Sequence, residues 1–127
     1  MNLLLDTHVF LWWDKQDPTL NAAARAAIQE PRNAVFVSAA TVWEIAIKRR
    51  LGKLVFNGSA AAAIGANGFH ELPILPLDAE DAGNLSWHHG DPFDRLVVAQ
   101  AIRQGLILVT ADKAIRGFDG VAQLWAG

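Results

Sequence analysis

Two short apolar runs, Asn2–Leu5 and Leu106–Val109, lie near opposite ends of the chain. Each gives way to an acid: Asp6 directly, and Asp112 after Thr110-Ala111. Neither run alternates apolar with polar residues, so both suit strands covered on both faces, as in a parallel sheet. Parallel neighbours need crossover connections, and the segments between these runs supply them. Thr19–Glu30 is alanine-rich and stopped by Pro31, which predicts a helix. Ala34–Val37 is a further β-rich run, and Ser38 then caps a predicted helix over Ala39–Leu51 that ends at Gly52.

The same alternation continues. Thr7–Asp14, Ser59–Ala66 and Leu77–Leu85 read as short helices, and His70–Leu77, with Pro73 and Pro76, as an edge strand or a connection. Asp91-Pro92-Phe93-Asp94 opens a helix, with Asp91 at the N-cap and Pro92 at the first helical position; Gly105 closes it after Gln104. A short helix from Lys113 and a last strand near Val121–Trp125 complete the order. The expected fold is α/β, a parallel sheet flanked by helices on both faces. With 127 residues, no repeat and no linker, one domain over residues 1–127 is expected.

Such sheets place ligands beyond the carboxyl ends of their strands, so Asp6 and Asp112 should meet there. Taken singly, the acids have ordinary explanations. Asp6 and Asp112 can cap the helices that follow them, Asp94 favours a helix N-terminus, and Glu44 stands four residues before Lys48 in the order of a surface ion pair. Glu44, however, is flanked by Val42, Trp43, Ile45, Ala46 and Ile47, which points it inward, where a carboxylate needs a cation or strong donors. Four carboxylates in one pocket repel each other unless protonated or neutralised by cations. The chain has no cysteine, which removes thiolate metal sites, cysteine nucleophiles and disulfides together. With no HExxH pair either, the remaining ligands are hard oxygens, suited to Mg²⁺ or Mn²⁺ rather than zinc. An acid cluster of that kind serves phosphodiester hydrolysis without a covalent nucleophile.

Leu4-Leu5-Asp6-Thr7-His8, Val37-Ser38-Ala39-Ala40-Thr41-Val42-Trp43-Glu44-Ile45, His88-His89-Gly90-Asp91-Pro92-Phe93-Asp94-Arg95 and Leu108-Val109-Thr110-Ala111-Asp112 stand in the order seen in PIN-domain proteins. Over nearly its whole length the chain resembles the VapC-type toxins of bacterial type II toxin–antitoxin pairs. The resemblance implies RNA cleavage dependent on Mg²⁺ or Mn²⁺. It carries metal-site and catalytic roles onto Asp6, Glu44, Asp94 and Asp112, with Thr110 in a supporting one. It also implies an RNA substrate, a cognate antitoxin protein and a homodimer.

Other residues carry two readings each. Asp91 is favoured as a helix cap over a direct ligand. His88 and His89 can move protons or contact phosphate, but adjacent loop residues rarely share one site, so both are expected to be surface histidines. Arg95 either holds phosphate or braces a carboxylate. The run Lys48-Arg49-Arg50 with Lys53 either answers a helix dipole or grips an RNA backbone. Trp12 and Trp13 project in different directions, so both rings are not expected on one core face, and one can line a groove for a partner helix.

Other enzyme classes fit less well. A haloacid-dehalogenase-type phosphatase wants an acid where His8 stands, and dinucleotide binding wants a glycine-rich turn where Asp6-Thr7-His8-Val9 stands. A binding module whose acids only cap helices is the non-enzyme alternative. The formal net charge of −2 excludes a basic nucleic-acid coat, yet setting aside the four site acids leaves the rest of the chain positive. The N-terminus lacks the basic segment of a leader and no apolar run reaches a membrane span, so a soluble, unprocessed, cytoplasmic chain without a membrane partner is expected.

Overall fold

The computed structural model describes residues 1–127. Its elements run β1 (Asn2–Leu5), α1 (Thr7–Asp14), α2 (Ala22–Gln29), β2 (Ala34–Ser38), α3 (Ala39–Arg50), α4 (Ala60–Ala66), β3 (His70–Leu72), α5 (Pro76–Asn84), α6 (Pro92–Gln104), β4 (Ile107–Thr110), α7 (Lys113–Arg116) and β5 (Gln123–Trp125). The five strands form one sheet in the order β3-β2-β1-β4-β5, and every pairing is parallel. β1 is therefore central, with Leu5 opposite Val37 on one side and Val109 on the other. No helix is long and apolar enough to cross a membrane.

Because successive strand side chains point to opposite faces, β1 feeds two cores. Leu3 and Leu5, with Val35, Val37 and Val109, pack under Phe10 of α1, Ile28 of α2, Ile45 of α3 and Ile64 of α4. Leu4 and Leu108 face the other way, under Val97, Val98 and Ala101 of α6 and Ile115 of α7. Leu3, Leu4 and Leu5 are all fully buried, as their unbroken apolar run requires.

Several boundaries differ from the sequence expectation for local reasons. Asp17 accepts from both the backbone and the hydroxyl of Thr19, which keeps Thr19 out of the helix; Asn21 caps α2 instead. The N–H of Leu106 bonds back to Ala101 in the turn made by Gly105 at φ +66°, so β4 starts at Ile107 and takes in Thr110. The run His70–Leu77 is an edge strand only to Leu72: Pro73 has no N–H to pair, and Pro76 begins α5. Contrary to expectation, Trp12 and Trp13 pack against the same core. Trp13 reaches it by lying against Phe69, with ring centroids 6.0 Å apart, and by donating Nε1–H to Asn67.

Candidate active site

The strand ends and helix starts converge at one edge of the sheet, where Asp6, Glu44, Asp91, Asp94 and Asp112 line a single cavity with Thr7, His8 and Lys48. No apolar side chain borders it, and its volume of about 50 Å³ leaves room for an ion or a water or two. The larger cavity, about 530 Å³ between α3, α4 and β3, is lined mainly by residues such as Val42, Trp43, Ile64 and Leu72. Glu71 is its one ionisable lining group, so it holds no comparable chemistry.

Asp6 follows β1 directly and is 3% exposed. Its Oδ1 caps α1 by accepting from the N–H of Val9 at 2.9 Å, while Oδ2 accepts from the Thr110 hydroxyl and, at 3.3 Å, from the N–H of Ala111. Burial pushes its carboxyl above the ordinary range, and the bonds from Thr110 and Val9 oppose that rise without cancelling it. Asp112 repeats the arrangement at the end of β4: its Oδ1 caps α7 through the N–H of Ala114 at 2.8 Å. Asp91 caps α6 through the N–H groups of Phe93 and Asp94, at 2.9 and 3.0 Å. These three acids are caps and cavity walls at once, so the two readings of each are not alternatives.

Glu44 also satisfies both of its readings. It is 5% exposed and faces inward from α3, yet its Oε2 pairs with the Lys48 ammonium at 2.5 Å, and its Oε1 accepts from the Thr7 hydroxyl at 2.6 Å. That pairing raises the Lys48 pKa. Asp94, in the first turn of α6, has its carboxyl pushed up to about 6, chiefly by burial and further by Asp91 and Asp112, against a lowering bond from His89. The rise at Asp6 comes from burial alone, whereas at Asp94 the neighbouring Asp91 and Asp112 carboxylates add to it, so like-charge repulsion acts on the Asp94 side of the cavity.

The donor set suits a hard divalent cation: the wall is carboxylate oxygen, the chain has no cysteine, and the Lys48 ammonium already sits on one carboxylate as a cation would. Asp94 and Asp112 each keep one oxygen without a hydrogen bond. Both oxygens of Asp6 accept from neutral donors, whereas a cation at Oε2 of Glu44 has to displace the Lys48 ammonium. Asp6, Asp94 and Asp112 are therefore the better placed to hold such an ion, with Asp91 beside Asp94. His89 completes the tightest group: one ligand atom each from His89, Asp91 and Asp94 lie within 4.8 Å of one another.

Two expectations need correction. Arg95 neither holds a carboxylate nor points to the cavity; its guanidinium donates to the backbone carbonyls of Ala82, Gly83, Leu85, Trp87 and His89. His89 is not a free surface residue, since its Nε2 lies 2.7 Å from Oδ2 of Asp94. His88 is exposed as expected. Thr7 and His8 escaped the sequence reading although they follow Asp6 directly, and the spacing that marked Lys48 as Glu44's partner also carries it to the cavity. Of the basic run, Arg49 is spent on the carbonyls of Phe56 and Gly58, while Arg50 and Lys53 are exposed.

A PIN-domain family model matches residues 3–121. Ribonuclease VapC22 of Mycobacterium tuberculosis is 34% identical over 117 residues, covering 90% of this chain and 89% of its own. Two solved structures share the fold. The DNA-bound VapBC of Salmonella typhimurium superposes with a TM-score of 0.69 at 17% identity, covering 98% of both chains. VapBC2 of Rickettsia felis, bound to a promoter DNA fragment, gives 0.67 at 13% identity over the whole of both chains.

Proposed function

The chain belongs to the PIN-domain family, in its VapC branch, and from that premise we propose that it is a divalent-metal-dependent endoribonuclease and the toxin of a toxin–antitoxin pair. The observation that carries the chemistry is the gathering of Asp6, Glu44, Asp91, Asp94 and Asp112 around one small polar cavity at the carboxyl edge of a parallel sheet. The catalytic set is Asp6, Glu44, Asp94 and Asp112.

Asp6, Asp94 and Asp112 hold the cation, Mg²⁺ or Mn²⁺. When bound, such an ion lowers the pKa of a water and stabilises charge on phosphodiester oxygens. Thr110 holds one oxygen of Asp6 and takes the N–H of Asp112, so it fixes two ligands together. Glu44 keeps the Lys48 ammonium at the cavity wall, where it meets an incoming phosphate with positive charge. Exposed Arg50, at the end of α3, and Lys53, just past it, give the RNA backbone a non-specific contact that weakens with salt. A cognate antitoxin protein, on the model of the VapBC complexes that share the fold, and a second copy of the chain, as the family resemblance implies, complete the proposed partners.

The test is induced expression in bacteria and cleavage of RNA by the purified protein. Growth arrest and cleavage are expected from the wild type with Mg²⁺ or Mn²⁺, abolished by EDTA and by Asp6→Asn or Asp94→Asn. Equal toxicity and equal cleavage from all three chains would overturn the proposal.

A further inference from the structure

Asp94 and Arg95 are neighbours on α6, so their side chains leave the helix about 100° apart. One enters the cavity. The other turns to the loop that joins α5 to α6, and there it meets the carbonyls of Leu85 at 2.8 Å, Trp87 at 2.7 Å and His89 at 3.0 Å, besides those of Ala82 and Gly83 at the end of α5. A guanidinium has five N–H donors in a fixed plane, and here they meet five carbonyls. That clamp fixes the path of a loop whose own backbone bonding between Leu85 and Asp91 is the single bond from the Trp87 N–H to the Leu85 carbonyl.

The loop then returns to the cavity. The His89 ring lies tilted against Trp87, 4.8 Å between centroids, and Trp87 in turn lies 5.0 Å from Phe118, beyond α7. Held on that aromatic support, with its carbonyl tied to Arg95, His89 brings Nε2 to 2.7 Å from Oδ2 of Asp94. With Asp94 ionised, Nε2 carries the proton and donates it. The circuit starts at Arg95 and ends on the residue before it.

We propose that His89 is a positioning residue for Asp94, and that the Arg95 carbonyl clamp sets His89 in place. This rests on the metal-dependent reading above. By holding Oδ2, the imidazole fixes the carboxylate plane and leaves the other oxygen directed at the cation. Partners that orient ligating carboxylates in this way govern metal affinity as well as turnover. Lysine cannot replace the clamp, because a single ammonium with three donors does not span five carbonyls.

The experiment is calorimetric titration of Mn²⁺ into the RNA-free protein, beside RNA cleavage, with folding checked by circular dichroism. His89→Ala is expected to weaken Mn²⁺ binding about tenfold or more, whereas His89→Gln, whose side-chain amide donates from a similar position, stays within about threefold of wild type. Arg95→Lys should weaken binding like His89→Ala, and combining the two should add little, since both act on one contact. The exposed neighbour variant His88→Ala should match wild type. A His89→Ala chain that binds Mn²⁺ as the wild type does overturns the inference, as does a Gln variant no better than Ala, or simple additivity with Arg95→Lys. Should Arg95→Lys fail to fold, the two His89 variants decide. A wild type that neither binds Mn²⁺ nor cleaves RNA overturns the proposed function itself; a wild type that does both, with His89→Ala unchanged, overturns only this inference.

Discussion

The hydroxyl of Thr110 donates to Oδ2 of Asp6 across 104 residues of chain, and the Thr110 hydroxyl oxygen itself accepts the backbone N–H of Asp112 at 3.0 Å. One buried hydroxyl thus ties the acid after the central strand to the acid after its neighbour. Thr110→Val keeps the shape and removes both bonds. Hydrogen bonds to charged groups contribute roughly 1.5–3 kcal/mol, so a loss of that order is expected by urea denaturation, together with a marked fall in RNA cleavage. Thr110→Ser, which keeps the hydroxyl, should recover most of both.

Asp94 links stability to pH in the direction opposite to a salt-bridged acid. Its carboxyl, near 6 in the fold, holds its proton more tightly there than in the unfolded chain, where a value of about 4 applies. The fold is therefore unpenalised below about pH 4, loses stability as pH rises from about 4 to 6, and bears the full cost above that. Asp94→Asn removes the cost: with solvent screening discounted, a gain of about 1–2 kcal/mol is expected at pH 7.5 in EDTA and almost none at pH 4. Thermal melts at the two pH values check this, and cleavage should be lost in the same variant.

Lys48 stands in part for the charge a metal would bring. Lys48→Met leaves the nearly buried Glu44 carboxylate with only the Thr7 hydroxyl, at a cost of about 1–3 kcal/mol, reduced from the buried-pair range because Lys48 is partly exposed. Melting in EDTA should show that deficit. Added Mg²⁺ or Mn²⁺ should raise the melting temperature of Lys48→Met by more than it raises that of the wild type.

A control for global stability lies at the far end of α6. Asp78 is fully buried; its Oδ2 takes the N–H of Leu75, and its Oδ1 has only the Nε of Arg103, at 3.4 Å. Arg103→Met strands that carboxylate, with an expected loss of about 2–4 kcal/mol. Arg103 is two to three turns along α6 from Asp94, so cleavage per folded molecule should not change.

The layered fold and four of the acids were legible because they rest on local signals: unbroken apolar runs, a Pro at a helix start, a Gly at its end. Asp6, Asp91 and Asp112 looked like a choice between capping and chemistry, but a carboxylate has two oxygens and can serve both. Arg95 was beyond reach for a different reason. Its partners are backbone carbonyls, which every segment possesses, so nothing in the residue types of Ala82, Gly83 or Leu85 announces them. His89 was missed because its orientation depends on Trp87 and Phe118, one two residues back in the loop and the other far along the chain.

The capping carboxylates have a further consequence. Asparagine caps a helix about as well as aspartate, and at Asp91 and Asp112 the cap uses Oδ1 alone, so replacing the other oxygen by nitrogen there leaves a helix start intact while erasing a negative charge from the cavity. Scaffold and reactivity are thus separable at the scale of one atom. A disarmed copy of this chain needs no compensating repair elsewhere, and it presents the same outer surface to any protein that recognises the armed one.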